Sequence, residues 1–83
     1  MARPLPAISG NDLIALLLKD GWEVTGQNSH VKILRKKDPD RTRITLVQPI
    51  NDSLAKGTLS AILGPKQTGI GKNGLRRLLD KHR

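Results

Sequence analysis

The residues WEVTGQNSHVKILRKKDPDRTRITLV, from Trp22 to Val47, carry the pattern of three strands and two turns. Trp22 and Val24 alternate with Glu23 and Thr25, the period-two pattern of a strand. Gly26, Gln27 and Asn28 have turn chemistry. A second strand is expected from Ser29 to about Lys36, with Val31 and Ile33 on the core face and His30, Lys32 and Leu34 on the other. Lys37, Asp38, Pro39 and Asp40 form the next turn, because proline presets φ and aspartate closes local side-chain hydrogen bonds. Arg43 to Val47 makes a third strand, with Ile44 and Leu46 expected inward and Arg43, Thr45 and Val47 outward. Two successive hairpins give an antiparallel three-stranded meander.

On the N-terminal side, Gly21 supplies the left-handed residue that ends a helix. That helix runs back through the apolar stripe Leu13, Ile14, Leu16, Leu17 and Leu18 to an N-cap at Ser9, where a hydroxyl accepts from an orphan N–H and Asp12 complements the dipole. Residues 1–8 contain Pro4 and Pro6 and are expected to be extended and flexible. Toward the C-terminus, Pro49, Asn51, Asp52 and Ser53 end the sheet. Lys56 and Gly57 lead into a helix from Thr58 to about Leu63, whose core residues are Leu59, Ile62 and Leu63, and Gly64-Pro65 stops it. Leu75, Leu78 and Leu79 have helical spacing and predict a short final helix. The expected architecture is α+β, in the order α-β-β-β-α with an extra C-terminal helix. It forms a single domain over residues 9–83, with the helices on one face of the sheet and the other face open.

Fifteen Lys and Arg against seven Asp and Glu give the 83-residue chain a net charge of +8. A solvated surface needs less than that, and a strong single-sign excess points to a polyanion, here nucleic acid or an acidic protein. Trp22 is the only aromatic residue, which excludes the RNA binders that stack bases on several aromatic platforms. The absence of cysteine excludes disulfides, thiol catalysis and Cys-built zinc sites. No spacing of Asp, Glu and His resembles a metal site, and no cofactor motif is present. No run reaches the roughly 18 apolar residues of a membrane span and no signal peptide is visible, so a cytoplasmic protein without a membrane partner is expected.

His30 is the candidate catalytic residue. The expected pleat sends His30 and Lys32 to the open face together. Imidazole exchanges protons near neutrality, the service that metal-free RNA cleavage needs at the attacking 2′-hydroxyl or the leaving 5′-oxygen. Cations around it stabilise the charge that builds on phosphorus. Lys32, Arg35, Lys36 and Arg43 are the candidate RNA-contacting residues. For His30 the plain alternative is a surface or RNA-contacting histidine, and for the cations a solvated face. His82, in the tail, is expected to be solvated only.

These residues resemble the HicA family of toxin–antitoxin toxins, from Pro6 to Leu79. The likeness rests on Ile8-Ser9-Gly10 before a Leu-rich helix, Gly21-Trp22-Glu23 after it, and Asn28-Ser29-His30 where the family has Gly-Ser-His. Lys56-Gly57-Thr58-Leu59 followed by Ile62-Leu63 is similar to the family's Lys-Gly-Thr-Leu box, and Gly69-Ile70 is similar to its Gly-Ile. The resemblance implies a double-stranded-RNA-binding-domain-like fold and an mRNA-cleaving toxin (an endoribonuclease) whose catalytic histidine corresponds to His30. It also implies a HicB-type antitoxin covering the active surface. Gly57, Thr58 and Leu59 carry over as structural residues shaping the turn into the helix. Two features depart from the family pattern. Asn28 replaces a glycine, a position at which Asn tolerates left-handed backbone, and Gly64-Pro65 looks like a two-residue insertion. The alternatives from other classes are a non-catalytic double-stranded-RNA-binding module and a basic adaptor protein.

Overall fold

The computed structural model describes residues 7–28, 30–37, 39 and 41–82. The elements follow in the order α1 (Gly10–Lys19), β1 (Glu23–Gln27), β2 (Lys32–Lys37), β3 (Thr42–Val47), α2 (Lys56–Leu63) and α3 (Gly71–His82). The strands form one antiparallel sheet in the order β1-β2-β3. The expected α+β architecture is what the chain adopts.

α1 begins as its sequence dictates. Ser9 is extended and its Oγ accepts from the Asp12 N–H at 3.1 Å, satisfying one of the orphan donors of the first turn. The chain reverses at Gly21, whose φ of +98° only glycine takes without strain. Ile8, expected to be flexible, is instead buried, and its carbonyl accepts from the Leu54 N–H at 2.8 Å. Residues 1–6 lie outside the described residues.

The helical layer covers one face of the sheet. Leu13 and Leu17 of α1, Leu59 and Ile62 of α2, and Leu75 of α3 are fully or almost fully buried with Leu34 and Val47 of the sheet. Each such side chain contributes about 1.5–3 kcal/mol by leaving water. α3 packs on both α1 and α2. It begins at Gly71 rather than near Leu75, and at 12 residues it is longer than the short helix expected. Gly64-Pro65 does end α2. Thr68 then closes the turn, its hydroxyl donating to the Ile62 carbonyl at 2.7 Å and its N–H to the same oxygen at 3.0 Å.

The pleat has the opposite phase to the expected one. Lys32 pairs with Val47, Leu34 with Thr45 and Lys36 with Arg43, and within this set Leu34, Thr45 and Val47 are buried beneath the helices. The alternate set, Ile33 with Leu46 and Arg35 with Ile44, forms the open face, where Ile44 is 52% and Leu46 51% exposed. Ile33, Ile44 and Leu46 are therefore not core residues. Apolar residues stand at both parities, in Ile33-Leu34 and Leu46-Val47, so alternation alone gives either answer. What separates the phases is the fate of the polar residues. Lys36, Arg43 and Thr45 each meet a polar group of the covering layer: Asp20, the Pro65 carbonyl and Gln67. The adopted phase thus gives Lys36, Arg43 and Thr45 polar partners in the covering layer.

Candidate functional site

The turn between β1 and β2 is built by Asn28. Its Oδ1 accepts from the His30 N–H at 2.8 Å and the Val31 N–H at 3.0 Å, while its own N–H donates to the Val31 carbonyl at 3.0 Å. The ladder stops at the Gln27–Lys32 pair, so His30 belongs to this turn and not to β2. No described residue other than glycine has positive φ, and Asn28 therefore serves through its side-chain acceptor rather than through left-handed backbone. A local acceptor that captures two successive N–H groups fixes a loop backbone independently of the sheet.

His30 is exposed on this turn, outside the apolar layer beneath the helices. The expected sharing of the open face with Lys32 does not hold. Lys32 pairs with Val47, lies on the helix-covered side at the end of the strand nearest His30, and is half-buried. Arg35 is exposed on the open face. Lys36 Nζ lies 3.1 Å from Asp20 Oδ2. Arg43 Nη1 donates to the Pro65 carbonyl at 3.3 Å, and its guanidinium lies against Gly69. The four candidate cations are thus spread over both faces, three along β2 and one near the start of β3, and two of them hold the covering layer to the sheet. His82 ends α3, and its side chain lies outside the described residues.

A basic cleft escaped the sequence reading. Arg41, Arg43 and Lys66 line a cavity of about 420 Å³ between the start of β3 and the loop after α2. Lys66 is far from the other two in sequence, and no motif links them. The cleft adjoins the Lys37–Thr42 pair, at the opposite end of the sheet from His30, roughly 17 Å along β2 at a strand's rise of about 3.3 Å per residue.

The Lys-Gly-Thr-Leu box is less uniform than expected. α2 starts at Lys56, so Gly57 lies inside its first turn, and nothing stands within 4 Å of where a Gly57 Cβ would be. Leu59 is 2% exposed and is the member that holds the helix to the core.

The family model described as the HicA toxin of bacterial toxin–antitoxin systems matches residues 10–70. The chain belongs to this family. It is accordingly a toxin of a toxin–antitoxin system. The match covers α1, the whole sheet, α2 and the loop after it, and stops just before α3. In this HicA family member the turn carrying His30, the Lys56–Leu59 box and Gly69-Ile70 all fall within the matched span. No curated protein and no solved structure matches the chain. No helix among the described residues is long and apolar enough to cross a membrane.

Proposed function

We propose that this toxin is an endoribonuclease that binds and cleaves mRNA without a metal ion, using His30 as general base, general acid or both. The observation that carries the reading is the exposed His30 on a turn whose backbone Asn28 fixes, within a chain of net charge +8 that belongs to the HicA family. A fixed loop with an open imidazole lets a phosphodiester approach without the core having to move.

In this reading His30 takes the proton of a 2′-hydroxyl. The 2′-oxygen attacks the adjacent phosphorus, the bond to the 5′-oxygen breaks, and that oxygen leaves with a proton. The products are a 2′,3′-cyclic phosphate and a 5′-hydroxyl. Cations offset the charge gained by the phosphoryl oxygens in the transition state. Lys32 is the candidate nearest His30 in sequence, and Arg35 is the most open to solvent of the other three. Lys36 and Arg43 contribute to the field while their side chains serve the fold. A HicB-type antitoxin is the proposed neutralising partner, and the cytoplasm, where mRNA and antitoxin meet, is the proposed site of action.

The deciding experiment incubates purified protein with mRNA in the presence of a chelator, beside the His30→Ala variant. The parent is expected to cut. The variant is expected to keep its circular dichroism spectrum and its RNA binding while cutting about 10²–10⁴-fold more slowly, the usual contribution of a positioned acid–base group. Cleavage by His30→Ala at the parental rate overturns the assignment. RNA binding without cleavage by the parent favours a non-catalytic RNA-binding module.

A further inference from the structure

The open face of the sheet presents an aliphatic patch that the fold does not use. Leu46 and Ile33 are paired neighbours on β3 and β2, Ile44 lies one step along the same face, and Ile44 and Leu46 are each about half exposed, at 52% and 51%. Gly26 opposes Ile33 from β1, and a Cβ there would lie 3.5 Å from Ile33 Cδ1, so the side chain of Ile33 reaches across the face. Exposed aliphatic groups scattered singly carry no message, but Ile44 and Leu46, exposed side by side with the half-buried Ile33 next to Leu46, form a contiguous patch of the kind that a partner covers. Arg35 and Lys37 lie on the same face, with Glu23 paired to Arg35 as its only acid among the described residues.

We propose that this face is a protein-docking surface whose occupant is an acidic partner with an aliphatic centre, in this family's setting the antitoxin. The inference rests on membership of a toxin–antitoxin family and not on the cleavage chemistry. Charge chooses among the possible occupants. A second copy of the chain would bring +8 against +8 and set the Arg35 and Lys37 rim against itself, whereas an acidic surface complements both the rim and the whole molecule. RNA gains nothing from Ile33, Ile44 and Leu46: phosphates do not contact aliphatic groups, and the one aromatic residue, Trp22, is 2% exposed and unable to stack a base. The row Gly26–Ile33–Leu46 also lies at the end of the sheet that leads into the His30 turn. A partner seated on the patch therefore reaches that turn, and the grip on the sheet brings it over the site.

The test titrates the full chain with a purified HicB-type antitoxin, by calorimetry. Ile44→Thr with Leu46→Thr keeps strand-compatible residues at two half-exposed positions and is expected to retain the circular dichroism spectrum and the urea midpoint. It is expected to weaken antitoxin binding at least about tenfold, as truncation at an interface centre does. Arg35→Glu, a charge reversal at the rim, is expected to weaken it as well. Lys72→Ala on α3 serves as the control and should change affinity less than about twofold, as peripheral contacts do. Parental affinity of the double-Thr variant overturns the proposal. So does a loss of binding to an RNA hairpin in that variant with antitoxin binding intact, or a dimer of the parent in sedimentation that the variant breaks while antitoxin binding stays unchanged. None of these readouts depends on His30, so loss of the nuclease reading leaves the docking proposal standing, and the reverse.

Discussion

The Arg43 guanidinium packs against the bare face of Gly69: a Cβ on Gly69 would stand 2.6 Å from Arg43 Nη1 and 3.1 Å from its Cζ. Gly69 has φ +68°, so an L side chain there is strained by its own backbone, while the guanidinium, the far end of a flexible side chain, can shift to make room. The left-handed conformation costs a non-glycine residue about 1–2 kcal/mol. Gly69→Ala is therefore expected to lose at least that much stability, read as a lower urea midpoint with an unchanged slope. A parental midpoint would show that the loop after α2 is not held in the way described.

Gly10→Ala should be the more damaging glycine substitution. The first residue of α1 is clamped to the segment after β3, with the Asn11 N–H donating to the Ile50 carbonyl at 3.0 Å and Asn11 Nδ2 donating to Asn51 Oδ1 at 2.7 Å. A Cβ on Gly10 would run into the backbone carbonyl oxygen of Gln48, and backbone cannot yield as a flexible side chain does. Overpacking of this kind costs about 1–3 kcal/mol or more. The melting temperature should fall by about 4–8 °C for each kcal/mol lost in a domain of this size. An unchanged melting temperature would contradict the close approach.

Thr45 tests the polar link between sheet and loop. Its hydroxyl donates to Gln67 Oε1 at 2.6 Å from a position only 1% exposed. Thr45→Val keeps the shape and the strand preference but leaves the Gln67 oxygen without that donor, for an expected loss of about 1–3 kcal/mol in chemical denaturation. Thr45→Ser, which restores the donor, should recover part of the loss. Equal stability of the Val variant and the parent would remove the hydrogen bond from the account.

Lys32 and Lys36 lie on the same strand and should behave differently toward RNA. Lys36 is held by Asp20 at 3.1 Å, with the two side chains about a third and a quarter exposed at 33% and 27%. Such a solvent-screened pair contributes about 0.2–1 kcal/mol or less. Lys36→Ala is expected to leave RNA affinity within about twofold, whereas Lys32→Ala should weaken it and reduce the slope of log affinity against log salt by about 1. Titration of a labelled RNA over a range of salt concentrations measures both. A larger effect at Lys36 than at Lys32 would displace the RNA path proposed above.

The nucleophile is testable on the substrate. With the 2′-hydroxyl as the attacking group, a 2′-deoxy substitution on the 5′ side of the cleaved bond should stop cutting there and leave binding nearly intact. Products from unmodified RNA should carry 2′,3′-cyclic phosphates, visible by mass spectrometry. Cleavage of the deoxy-substituted bond would exclude this chemistry.

Local features were legible because local chemistry fixes them. Ser9, Asp12 and Gly21 bracket α1 by capping and by left-handed backbone, and both signals stand within a few residues of the ends they set. The two hairpins follow from turn residues between apolar runs. His30 was legible as a candidate, since imidazole is among the few side chains in this sequence able to serve as general base and general acid. Its placement was not. It depends on Asn28 taking two N–H groups on its side chain, a choice that competes with continuing the strand.

The order of the elements, the antiparallel meander, the strong positive charge and the near absence of aromatic residues can be read along the chain. Which face of the sheet meets the helices is settled by packing between distant segments. Strand alternation has two solutions when aliphatic residues sit at consecutive positions, and what distinguishes them lies far away in the chain. Asp20, Pro65 and Gln67 offer polar partners to Lys36, Arg43 and Thr45, and these are contacts that no window of the sequence brings together. The same choice left Ile44 and Leu46 facing water and Ile33 half-buried on the open face, because a one-residue shift in phase moves every side chain of a strand to the other side.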